Sequence, residues 1–206
     1  MIKAVIFDLG NVIVKVDRTG LYKEWAEKSN KSVKEIIDYY ANLKARSAFE
    51  KGRLIPKEFY QEIVKEIGLK MSFGEFKKSY CNIFSLNENV AKAIKKLKKH
   101  YRLVLLSNTD KLHFEYVKKR FKIVNIFDGY VLSYDVGRRK PNPLIFTEAI
   151  KKCKTLPFNS MYFDDIPEFI IIARLMGVKA YRFKDYKKMM QDLNKNKISA
   201  YSSKNL

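Results

Sequence analysis

The 206 residues carry 47% apolar, 14% aromatic and 31% charged side chains, enough apolar material for one buried core and too much for a disordered tail protein. Forty-two Lys and Arg against 22 Asp and Glu leave a net charge of +20, a field that attracts phosphorylated metabolites and polyanions alike and by itself selects neither. The two cysteines, Cys81 and Cys153, lie far apart with no CxxC or Cys/His ligand spacing, which excludes a disulfide framework and a zinc module and points to a reducing, cytoplasmic setting.

The first apolar run, Ala4 to Phe7, is bounded like a strand buried on both faces, the mark of a parallel sheet between helices. No comparable run follows for roughly a hundred residues, far beyond the usual βα loop of about 2 to 6, so a segment is inserted there. Trp25, Ile36, Ile37, Tyr40, Phe59, Ile63, Ile67, Phe73, Phe76 and Tyr80 recur at spacings of three and four, with Gly52, Pro56 and Gly68 as punctuation. This predicts a helical cap over residues 18–85, set into a core made of residues 1–17 and 86–206.

Further strands are expected at Leu103 to Leu106, Tyr130 to Leu132, Met161 to Phe163 and Lys179 to Phe183. The helical stretches between them run from Leu112 to Phe121, Leu144 to Cys153 and Ile166 to Met176, an alternation that gives a doubly wound, three-layer, Rossmann-like α/β core. Beyond Lys184 the chain is polar and Lys/Asn-rich, with one short helix and a frayed end expected. Met1-Ile2-Lys3-Ala4 has no leader-like pattern, and Phe169 to Ala173, the longest apolar stretch, falls far short of the roughly 20 residues of a membrane span.

In open α/β sheets the functional crevice lies beyond the carboxyl ends of the strands. The first strand runs into Asp8, the second into Ser107-Asn108, the fourth into Asp164-Asp165, and a loop after the third carries Arg138-Arg139-Lys140-Pro141. Three carboxylates, a hydroxyl and a cation thus share one rim. Carboxylates so close repel unless a cation neutralises them, and a hard oxygen donor set selects Mg²⁺. Lys140 and Ser107 add a charge and a donor for a phosphate, and phosphoryl transfer is the consistent chemistry. No GxxxxGK[ST] loop is present.

Phe7-Asp8-Leu9-Gly10-Asn11-Val12, Leu106-Ser107-Asn108-Thr109, Gly137-Arg138-Arg139-Lys140-Pro141 and Phe163-Asp164-Asp165 resemble, in order, the four motifs of the haloacid dehalogenase superfamily. Phe49-Glu50-Lys51-Gly52 and Pro56-Lys57-Glu58-Phe59 are similar to the small helical caps of its sugar-phosphate phosphatases, α-D-glucose-1-phosphate phosphatases among them. The resemblance implies a Mg²⁺-dependent phosphatase for a small phosphorylated metabolite such as a sugar phosphate. In it Asp8 attacks phosphorus to form an aspartyl-phosphate, and Lys140 neutralises nucleophile and phosphoryl group. Ser107 and Asn108, with Gly10 and Lys140, would hold the phosphate. Asp8, the carbonyl of Gly10, Asp164 and Asp165 would hold the metal.

Two positions depart from that pattern. The acid/base Asp usual two residues after the nucleophile is Gly10 here, which implies slow turnover, preference for good leaving groups, or a proton borrowed from water or the cap, Asp17 being one candidate. Phe169 stands where relatives often place Asn, which implies less firmly held metal ligands. Several residues also have structural readings: Ser107-Asn108 as caps of the helix near Asp110, His113 and the cap aromatics as packing residues, and the lysines as a solvated face. The rival functions are a weakly catalytic phosphate- or polyanion-binding protein, nucleic acid included, and a haloacid dehalogenase.

Overall fold

The computed structural model describes residues 1–198. In chain order it comprises β1 (Ala4–Phe7), β2 (Val14–Val16), α1 (Thr19–Glu27), α2 (Val33–Ala41), α3 (Lys44–Glu50), α4 (Pro56–Ile67), α5 (Phe73–Cys81) and β3 (Phe84–Leu86). There follow α6 (Glu88–Leu97), β4 (Arg102–Ser107), α7 (Lys111–Arg120), β5 (Gly129–Leu132), α8 (Ser133–Val136), α9 (Pro143–Cys153), β6 (Ser160–Asp164), α10 (Pro167–Leu175), β7 (Lys179–Arg182) and α11 (Tyr186–Lys195).

The main sheet has the order β5-β4-β1-β6-β7 with every pairing parallel. Alternation along the strands feeds two apolar clusters. Val5, Phe7, Leu103, Leu105, Met161 and Phe163 pack with side chains of α6, α7 and α11, whereas Ala4, Ile6, Val104, Leu106 and Tyr162 pack with those of α9 and α10. Helices therefore cover both faces, the doubly wound arrangement expected from the alternation of elements. The short helix expected beyond Lys184 is α11, capped by Asp185, and Met189, Leu193 and Ile198 are buried in the first cluster. The remainder of that expectation falls on residues 199–206, outside the described residues. No helix among the described residues is long and apolar enough to cross a membrane.

Helices α1 to α5 share a third cluster around Trp25, Phe59, Phe76 and Tyr80, which also takes in Leu112 of α7. Of the apolar stripe read from the spacing, Ile37 alone is largely exposed, at 43%. The punctuation sits where the backbone needs it. Pro56 opens α4 and Gly68 closes it in the left-handed region. Where the inserted segment leaves and rejoins the core, β2 and β3 pair antiparallel, Val14 with Leu86 and Val16 with Phe84. That small sheet, three residues a strand and half exposed, has no run long enough to stand out in the sequence.

Helix α3 ends on the core through Gly52, whose φ is +67° and where a Cβ would lie 2.2 Å from the Tyr134 carbonyl oxygen. Only glycine meets both demands. Gly52→Ala is expected to cost about 1–3 kcal/mol in urea unfolding. An unchanged midpoint would mean that the α3 contact with α8 adds nothing to stability.

Candidate active site

The chain passes from β1 to β4 and β5, then crosses back over β1 to β6 and β7, which makes the carboxyl end of β1 a topological switch point. Phe7 is in register with Leu105 and Phe163, so Asp8 emerges between the ends of β4 and β6. A tight turn follows. The Ile13 and Val14 amides both donate to the Leu9 carbonyl, and Asn11 adopts φ 56°, a left-handed conformation that asparagine tolerates.

A cavity of about 200 Å³ opens there, lined by Asp8, Ser107, Asn108 and Asp165 from the strand ends and by Gly10 and Lys140 from the loops beyond them. Lys140 is 3% exposed and crosses beneath the cavity. Its Nζ donates to Asp8 Oδ1 at 2.7 Å and Asp164 Oδ2 at 2.6 Å, with longer contacts of 3.3 Å to the Leu106 carbonyl and the Tyr162 hydroxyl. Burial disfavours this ammonium, but Asp8 and Asp164 outweigh it and hold the pKa above that of an ordinary lysine. Burial pushes the Asp8 carboxyl up to about 7, against the pull of Lys140 and with a contribution from Asp164. Asp165, half buried, is raised by desolvation and opposed by the Asn11 amide, which donates to its Oδ2 at 3.0 Å.

Asp164 does not line the cavity. It is fully buried, its Oδ2 shared by Lys140 and the Tyr162 hydroxyl and its Oδ1 accepting from the Ile166 amide at 2.9 Å. One carboxylate oxygen from each of Asp8, Asp164 and Asp165 nevertheless lies within 4.8 Å of the others. Asn108 spends its side chain on the backbone of Lys140, accepting from its amide at 2.7 Å and donating to its carbonyl at 2.9 Å. The Ser107 hydroxyl makes no hydrogen bond to a described residue and faces the cavity. Capping of α7 falls to Asp110, which accepts from the His113 amide at 3.0 Å, rather than to Ser107-Asn108.

Phe169, where the family pattern suggested loose metal ligands, places its ring 5.0 Å from Lys140 Nζ and so stabilises that cation, while Asn11 orients Asp165. Asp17 is no proton donor for the cavity. It is exposed, accepts from the Thr19 amide at 2.9 Å and is held below the usual carboxylate range by that bond. His113 stacks on Tyr80 at 4.0 Å, with Nδ1 2.7 Å from Asp110 and Nε2 2.9 Å from the Tyr80 carbonyl, a fully engaged structural histidine.

The inserted segment supplies a second wall, Arg18, Tyr40, Arg46 and Glu50, of which only Glu50 lies in a stretch that the family resemblance singles out. Glu50 is buried between two guanidinium groups, with Arg46 Nε at 2.8 Å and Arg139 Nε at 2.7 Å, the latter an ion pair without hydrogen-bond alignment. Arg139 also donates to Ser47 at 3.3 Å, tying the loop that carries Lys140 to α3. In a chain with 42 basic residues, nothing in sequence sets Arg18 and Arg46 apart.

A family model described as haloacid dehalogenase-like hydrolase matches residues 2–177. A D-ribitol-5-phosphate phosphatase of Bacteroides thetaiotaomicron is 26% identical over 189 residues, 88% of this chain and 92% of that protein. A sesquiterpene phosphatase of Aspergillus oryzae is 24% identical, over 89% and 90% of the two chains. Among solved structures, a haloacid dehalogenase family enzyme of B. thetaiotaomicron in complex with magnesium and inorganic phosphate superposes with a TM-score of 0.82, at 24% identity and with 92% and 99% of the chains covered. With a strand-end carboxylate, a buried lysine and an acidic pair around one cavity, and a family match over most of its length, the chain belongs to the haloacid dehalogenase-like hydrolases.

Proposed function

We propose that this protein is a Mg²⁺-dependent phosphatase of small phosphorylated metabolites, sugar phosphates in particular, with residues 18–85 acting as a cap over the site. The observation that carries the reading is the buried Lys140 held between Asp8 and Asp164, beside three carboxylate oxygens within 4.8 Å of one another. Such a set of hard, negatively charged oxygens fits a small divalent cation, and Asp8, Asp165 and the Gly10 carbonyl would hold it, with Asp164 behind them. The bound ion supplies charge neutralisation of the phosphoryl oxygens. Both phosphatase names among the relatives support the reaction class.

In this mechanism Asp8 attacks phosphorus, the ester oxygen leaves, and water hydrolyses the resulting acyl phosphate to regenerate the carboxylate. Lys140 keeps Asp8 oriented and offsets the growing negative charge, and the Ser107 hydroxyl donates to a phosphoryl oxygen. A dehalogenase needs no acidic pair beside its nucleophile, so Asp164-Asp165 favours phosphoryl transfer. The test is phosphate release from sugar phosphates, nucleotides and an aryl phosphate, by wild type and Asp8→Asn, with Mg²⁺ and with chelator. Release confined to wild type with Mg²⁺ is expected, and chelator-resistant release would overturn the proposal.

The raised pKa of Asp8 adds a pH dependence. In the metal-free fold the carboxyl keeps its proton up to about 7, so stability falls as pH rises from about 4 toward that value. A metal must displace the proton, and its stabilising effect therefore grows with pH. The rise in melting temperature produced by Mg²⁺ is expected to be larger at pH 8 than at pH 5.5. Equal shifts at the two pH values would mean that Asp8 is not among the ligands.

A further inference from the structure

We propose that Arg18, Tyr40 and Arg46 form a subsite for a second oxyanion on the substrate, so that the preferred phosphomonoester is an acidic metabolite rather than a neutral polyol phosphate. This rests on the phosphatase reading and adds the class of leaving group. The three residues come from separate elements, Arg18 just before α1, Tyr40 from α2 and Arg46 from α3, and line the cavity that Asp8 also faces. They stand on the wall made by the inserted segment, whereas the groups proposed to act on phosphorus stand at the strand ends.

The Tyr40 ring lies between two guanidinium groups, with Arg18 Cζ 5.6 Å and Arg46 Cζ 5.3 Å from its centroid. Tyr40 is 2% exposed, and its hydroxyl is buried without a hydrogen-bond partner. Arg18 Nε is buried without a partner as well. A buried donor without an acceptor is unfavourable, and a ligand that supplies the missing acceptor recovers that cost.

Charge decides what kind of acceptor fits. Arg46 has Glu50, although that one carboxylate also faces Arg139. Arg18 pairs with no carboxylate among the described residues. A guanidinium only donates, and hydrogen bonds from a cation to an ionised acceptor are roughly twice as strong as neutral ones. A sugar hydroxyl would satisfy the geometry and leave the Arg18 charge uncompensated; a carboxylate or a second phosphate satisfies both.

The experiment compares matched pairs of substrates: phosphoglycerate against glycerol phosphate for the carboxylate, and a hexose bisphosphate against the hexose monophosphate for the phosphate. For wild type with Mg²⁺, kcat/KM is expected to be at least about tenfold higher for the acidic member of one pair, the pair naming the oxyanion. In Arg18→Gln and Tyr40→Phe that ratio is expected to fall toward one, chiefly through KM of the acidic member. Calorimetric binding of the same pairs to Asp8→Asn reads the preference without turnover. If no phosphate is released from any compound, the phosphatase reading fails while the binding preference still judges the subsite. Equal use and equal binding of both members, or an unchanged ratio in both variants, overturns the inference.

Discussion

Lys140→Met is expected to lower phosphate release by on the order of 10²- to 10³-fold and to destabilise the metal-free protein by about 3–5 kcal/mol. Both losses have one origin. The ammonium is the cation that contacts Asp8 and the fully buried Asp164, and methionine fills its volume without its charge. Two carboxylates are then left in an environment that already favours the neutral form of Asp8. The protein has one cheap escape, which is to keep a proton on Asp8, so the destabilisation should be smaller at pH 5.5 than at pH 8. Urea unfolding in chelator at the two pH values measures the difference, and Mg²⁺ should recover part of the stability at the higher pH by supplying positive charge nearby. A variant as stable as wild type at pH 8 would show that the lysine contributes no net stability. Full activity in the variant would remove Lys140 from the mechanism.

The elements that build this centre are legible because their signals are strong. Runs such as Ala4–Phe7 and Ser160–Asp164 are buried along their whole length, and each leads into an acidic residue at its carboxyl end, so the order of strands brings Asp8, Ser107 and Asp164 together. What escapes has weak or non-local signals. The short ladder of β2 and β3 pairs residues about seventy apart, with three positions a strand, and no periodicity announces it. Arg18 and Arg46 of the inserted segment resemble every other basic residue until the fold sets them beside the cavity, and only the fold shows that two guanidinium groups converge on Glu50. The aromatic support of Lys140 reads, in the family pattern, as a missing asparagine, since a cation over a ring leaves no sequence motif. Asp164 shows a third kind of limit: adjacent carboxylates look alike in sequence, and only burial separates the one that holds the lysine from the one that faces the cavity.

Gly10→Asp is expected to raise kcat for alkyl and sugar phosphates by about 10- to 10³-fold while changing release from an aryl phosphate little, because general acid catalysis is worth about 10² to 10⁴ where the leaving oxygen needs a proton. The described carboxyl groups lining the cavity are Asp8, Glu50 and Asp165, and none is free to protonate a leaving group. Asp8 faces Lys140, Glu50 faces two guanidinium groups and Asp165 accepts from Asn11. His113 has both ring nitrogens engaged. The backbone will accept the change. Gly10 lies outside the left-handed region, and a Cβ there would meet only Val16 Cγ2, at an ordinary 3.6 Å. Steady-state rates for an alkyl and an aryl phosphate, measured side by side, separate the outcomes. An equal gain on both substrates would mean that the new carboxylate acts on the metal or the nucleophile rather than on the leaving group. No gain on either would mean that the leaving oxygen already receives its proton from water or from the Tyr40 hydroxyl, and selective slowing of the alkyl ester in Tyr40→Phe would identify the hydroxyl, an unchanged rate the water.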